Sequence, residues 1–93
     1  MIKPTIGRVV WFFTYVPGQG HKGPFAAHVC YVHSDTSVNL MVISEDGNPR
    51  PRTSIRLIQD NMPEPSSDYC CWMPYQKGQA AKTEALEKQL EAT

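Results

Sequence analysis

Between Arg8 and Met73 the chain is cut into short apolar runs, none long enough to be a helix with one buried face. The runs are Arg8–Tyr15 (RVVWFFTY), Ala26–His33 (AAHVCYVH), Val38–Ser44 (VNLMVIS), Arg52–Ile58 (RTSIRLI) and Tyr69–Met73 (YCCWM). They are rich in β-branched and aromatic side chains, which suit a half-buried pleated surface. Ser34-Asp35-Thr36-Ser37 and Glu45-Asp46-Gly47-Asn48 separate three of them. Such clusters tolerate the positive φ of tight hairpin turns. Val16–Phe25 (VPGQGHKGPF) reads as a long first hairpin loop. Gln59–Asp68 reads as a loop because Pro63 and Pro65 cannot donate to a sheet ladder. Short strands linked mostly by tight turns predict a mostly-β chain, a small SH3-like five-stranded antiparallel barrel. The alternative is a twisted antiparallel sheet that dimerises edge to edge.

The barrel is expected to occupy residues 1–76, with Pro74 stopping the last strand, and a polar C-terminal α-helix or tail to occupy 77–93. Gln79–Ala92 (QAAKTEALEKQLEA) is rich in helix formers and has no Gly or Pro, and Glu84 and Lys88 make an i,i+4 pair in the favourable order. Its apolar stripe, Leu86 and Leu90, is too thin to hold a helix alone in water. A chain of 93 residues also buries only roughly 60% of its unfolded surface. Together these favour a homo-oligomer.

Nine Lys and Arg balance nine Asp and Glu. Neutrality argues against a coat for nucleic-acid polymers, whose affinity comes from many phosphate contacts. It leaves open a small anionic ligand that needs two or three local cations. No apolar run marks a signal peptide, and none approaches the ~20 residues of a membrane span. Three cysteines, Cys30, Cys70 and Cys71, fit reduced thiols in a cytosol. Their spacing lacks the pairs a zinc site needs, so no metal and no cofactor is expected.

Catalytic patterns are weak. His33-Ser34-Asp35 lies in one turn, where the three side chains point apart and cannot converge as a triad. The glycine-rich stretch around Lys22 resembles a phosphate lid, but it lacks the Gly-Lys-Ser/Thr ending that opens a helix in a P-loop. The stronger constellation is Arg52, Ser54 and Arg56, which share a face in a regular strand. Two guanidiniums with a hydroxyl between them suit a phosphate or diphosphate. The competing reading is a solvated strand face. Trp11, Phe13 and Tyr15 alternate on one face of the first strand, and Tyr15, Trp72 and Tyr75 stand near strand ends, where a ring can stack on a purine.

Several blocks resemble a family of short hypothetical proteins from tailed bacteriophages. They are Lys3-Pro4-Thr5-Ile6-Gly7-Arg8-Val9-Val10, Ala26-Ala27-His28-Val29 with Tyr31-Val32-His33, Val38-Asn39-Leu40, Arg52-Thr53-Ser54, and Cys71-Trp72-Met73-Pro74-Tyr75-Gln76. The resemblance speaks to origin, not activity. It implies residence in the cytoplasm of a bacterial host. Phage proteins of this size include sponges that sequester nucleotide messengers of bacterial immunity, such as cyclic ADP-ribose isomers and cyclic dinucleotides. The expected role is therefore a non-enzymatic anti-defence binder of a nucleotide-type ligand. Arg52 and Arg56 would hold phosphate, Ser54 would add a hydrogen bond, Trp72, Tyr75 or Tyr15 would stack, and Lys22 would assist. The alternatives are a protein-interaction module that inhibits a host defence protein and a hydrolase of the same signal.

Overall fold

The computed structural model describes residues 2–60 and 62–78. Its strands are β1 (Val9–Val16), β2 (Gly20–Ser34), β3 (Ser37–Ile43), β4 (Pro49–Ile58) and β5 (Tyr69–Cys71). They form one sheet in chain order, and β5 returns to pair with β1, Phe12 opposite Cys70. The five-stranded sheet thus closes into a ring within one chain, and no edge-to-edge dimer is needed to satisfy its first and last strands.

One seam corrects the expected antiparallel order. β4 and β5 run parallel, with Arg56 opposite Tyr69 and Ile58 opposite Cys71. Parity requires such a seam. Directions alternate round an antiparallel ring, and with five strands one neighbouring pair must agree. A tight turn cannot join a parallel pair, which is why the chain needs the long connection 59–68.

Period-two alternation fills the ring. Val10 and Phe12 of β1, Ala27 and Val29 of β2, Val38, Leu40 and Val42 of β3, and Ile55 and Leu57 of β4 are all buried. Trp11, Phe13 and Tyr15 therefore lie on the outer face of β1, half-buried. Cys70 is fully enclosed, and burial pushes its thiol up to about 12. Cys71 is half-buried and shifted in the same direction by the same cause. Cys30 is exposed. Thiolates, not thiols, react with alkylating agents. Peptide mapping after brief iodoacetamide treatment should find Cys30 modified first, Cys71 slowly, and Cys70 only when urea unfolds the chain. Rapid native labelling of Cys70 would contradict this packing.

Two sequence expectations fail at bulges. β2 begins at Gly20, so the expected loop Val16–Phe25 is mostly strand and the turn is confined to 17–19, closed by Gln19 N–H on Val16 O at 2.9 Å. Phe12 faces Phe25 and Thr14 faces Lys22, so Gly23 and Pro24 together oppose Phe13. That bulge uses Gly23 at φ 145°, which a proline-glycine count reads as a loop. In β4, Leu40 faces Arg52 and Val38 faces Ile55, so Thr53 and Ser54 together oppose Asn39. Ser54 adopts φ 53°, and its N–H donates to Asn39 Oδ1 at 2.8 Å.

Beneath the ring's floor sits Gln59, 2% exposed. Its Oε1 accepts from Trp72 Nε1–H at 3.0 Å and Ile2 N–H at 3.2 Å. Its Nε2 donates to Ile2 O at 2.6 Å and Asp35 O at 3.1 Å. All the bonding capacity of the amide is used, and it ties together the N-terminal segment, the β2–β3 turn and the chain after β5.

β5 ends at Cys71, and Pro74 begins a helical turn, 74–78, that crosses the expected boundary at 76/77. Gln76 Oε1 accepts from Met73 N–H at 2.8 Å while Gln76 N–H donates to Met73 O at 3.0 Å. A proline in the first helical position with a glutamine reaching back is a helix start. The predicted helix Gln79–Ala92 lies outside the described residues. Among those described, no helix is long and apolar enough to cross a membrane.

Candidate functional site

β5 is only Tyr69–Cys71, so it joins β1 to β4 only at Trp11–Phe13 and Arg56–Ile58. Beyond Tyr69 the two strands part. Among the described residues, Thr14–Val16 pair only with β2, and Pro49–Ile55 only with β3. Asp68 stands where they separate. Its Oδ1 accepts from Tyr15 N–H at 2.7 Å and from the Thr14 hydroxyl at 3.2 Å. Two clefts open along this split seam, each lined from both β1 and β4.

The first cleft, about 230 Å³, is lined by Phe12, Thr14, Phe25, Ser44, Arg50 and Arg52 beside Val42. Arg50 faces Val42 and Arg52 faces Leu40, both buried, so both arginines start from the inner face of β4. Arg52 is half-buried and donates to Pro51 O at 2.8 Å. Neither arginine makes an ion pair with another described residue. Asp46, lowered from the usual carboxylate value chiefly by the Ser44 hydroxyl and then by Asn48 N–H, lies in the field of Arg50. Arg50 itself is exposed; two guanidinium forks lining one cleft with Phe12 and Phe25 can hold an anion bidentately.

The second cleft, about 580 Å³, brings Tyr15, Ser54 and Arg56 together with Ser66, Ser67 and Asp68. Beside it, the connection 59–68 is fastened to the hairpin by side chains. Tyr69 O–H donates to Glu64 Oε1 at 2.7 Å, and burial followed by that bond raises its phenol. His21 lies 3.2 Å from the same carboxylate oxygen and 3.0 Å from Ser67 O. The His21 ring meets Tyr69 edge-on at 4.9 Å, and Tyr69 stacks on Phe13 at 5.0 Å.

The arginine row therefore needs correction. The bulge at Thr53-Ser54 shifts the alternation by one, so Arg52 and Arg56 leave opposite faces of β4. The inner partner of Arg52 is Arg50, which two-residue spacing also reveals once the bulge is known. Trp72 is no stacking platform: it is 2% exposed, its N–H is on Gln59, and Arg8 covers its ring at 5.9 Å. Lys22 lies exposed on β2 opposite Thr14 and forms no lid. Tyr75 is 67% exposed on the turn 74–78 and lines neither cleft. His33 bonds Asn39 Oδ1 at 2.9 Å. Among the described residues no three His, Cys, Asp or Glu side chains gather as a metal ion would require.

Compared with protein-family models, with curated proteins and with solved structures, the chain matches none.

Proposed function

We propose that this chain is a non-enzymatic, SH3-like barrel that binds a small anionic ligand of nucleotide type along its split seam. In this reading it is a phage-encoded homo-oligomer that sequesters a nucleotide-derived immune signal in the host cytoplasm. The observation that carries it is the pair Arg50 and Arg52 on inner-face positions over Phe12 and Phe25. Phosphate oxygens on both forks make charge-assisted bonds worth roughly 1.5–3 kcal/mol each. The role in phage anti-defence rests on the residue blocks quoted above.

The test begins with a thermal-shift screen against nucleotides, cyclic dinucleotides and cyclic ADP-ribose isomers. Calorimetry on the strongest hit should show Arg52→Ala weakening binding about ten- to a hundredfold, at ~1.4 kcal/mol per factor of ten. Arg50→Ala should behave alike, and lysine should rescue neither fully, since it lacks the planar fork. Parent-like binding by both alanine variants would remove the site.

A second reading has its own observation. Cys30, Met41, Pro49, Pro51 and Thr53 line an open groove of about 370 Å³ on the outer face of β3 and β4. Met41 there is 37% exposed and nearby Tyr31 53%. This surface suits a protein-interaction module. A pull-down that depends on Met41 and Tyr31 but not on Arg52 would favour it.

A further inference from the structure

The second cleft differs chemically from the first. Arg56 and Asp68 cancel in formal charge, and the rest of its polar lining is the hydroxyls of Ser54, Ser66 and Ser67 with the Tyr15 ring. A second phosphate would meet a carboxylate there. We infer that this cleft takes the sugar of the ligand, its vicinal diol donating to Asp68 Oδ2 and accepting from Arg56. The inference rests on the anion-binding reading of the first cleft and names what the neighbouring site selects.

Asp68 is held in place for this role. Both bonds from β1, from Tyr15 N–H and the Thr14 hydroxyl, go to Oδ1, so Oδ2 takes part in neither. The carboxylate offers only acceptors and the guanidinium only donors. A hydroxyl pair can satisfy both, and the serine hydroxyls can either give or accept. The Tyr15 ring, braced by His21 at 5.2 Å, offers a flat apolar surface to the C–H face of a pentose. The two clefts meet at one contact, since Thr14 lines the first and bonds Asp68 in the second. A phosphate on Arg50 and Arg52 would therefore place an attached sugar toward Asp68.

The experiment titrates the full chain with inorganic pyrophosphate, AMP and 2′-deoxy-AMP, read by calorimetry and by amide NMR shifts. AMP should bind about tenfold more tightly than its 2′-deoxy form, one well-formed hydrogen bond to a charged group. Asp68→Asn retains an oxygen for Thr14 and Tyr15. It should bring AMP down to the deoxy level and leave pyrophosphate unchanged. Ser67→Ala and Arg56→Ala should each narrow the same difference, and they keep the test open should Asp68→Asn not fold. If AMP and 2′-deoxy-AMP bind the parent equally while pyrophosphate binding is still lost in Arg52→Ala, the sugar site is wrong and the anion site stands. If pyrophosphate does not bind the parent, both are overturned.

Discussion

Gln59→Leu is expected to destabilise the fold by about 3 kcal/mol, because it strands the buried indole N–H of Trp72 and three part-buried backbone groups rather than merely removing contacts. Leucine fills much of the same volume but leaves Trp72 Nε1–H and Ile2 N–H without their acceptor, and Asp35 O and Ile2 O without their donor. A buried, unpaired group costs roughly 1–3 kcal/mol, and the part-buried groups of Ile2 and Asp35 recover some of their share from water. For a domain of this size the melting temperature should fall by about 15–25 °C. A double variant sharpens the reading. Trp72→Phe removes the indole donor, so adding it to Gln59→Leu should cost less than the sum of the two single changes, by about 1–2 kcal/mol. Strict additivity in urea unfolding would show that the indole and the amide do not depend on each other.

Gly23→Ala should cost about 3 kcal/mol, from strain and collision together. A Cβ there would stand 2.7 Å from Phe12 O and 3.1 Å from Phe13 Cδ1, at φ 145°. The backbone carbonyl cannot retreat without breaking the β1–β2 ladder beside the bulge. Gly18→Ala is the control. Its φ is 81°, but nothing lies within 4 Å of an added Cβ, so only the left-handed conformation is penalised, by about 1 kcal/mol. Equal urea midpoints for the two variants would mean that the close approach to Phe12 is not maintained in solution.

Strand positions were legible because the pleat repeats every two residues. Val38, Leu40 and Val42 alternate with polar or exposed neighbours, and the turn at Asp46-Gly47 is marked by its own chemistry. The bulges were not legible. Each inserts a residue at a place decided by distant partners: Asn39 reaching the Ser54 N–H, or Phe12 and Phe13 pressing on Gly23. Past a bulge, face assignment from spacing inverts, which is why Arg56 was paired with Arg52 in the sequence and Arg50 is its partner in space. Trp72 misled for another reason. A tryptophan near a strand end serves equally as a platform or as a plug, and only Gln59, 13 residues away, decides between them. Tyr15, Ser54 and Arg56 do converge, through Asp68 and its serine neighbours, which composition marks only as loop.

The split seam has a consequence for how the molecule keeps to itself. Where β5 stops, no described strand pairs with the far edge of β4, and an unpaired edge is a natural template on which another chain can polymerise. Alternate residues of a strand turn their N–H groups to the same side. The ladder with β3 continues through Met41 opposite Pro51 and Ile43 opposite Pro49. The N–H groups these two prolines lack are therefore missing from the open side. An incoming strand would find its carbonyls facing ring carbons instead of donors, with Arg50 and Arg52 adding charge along the same stretch. The opening thus offers a foreign backbone a poor template, which lowers the aggregation hazard that an unzipped sheet would otherwise carry.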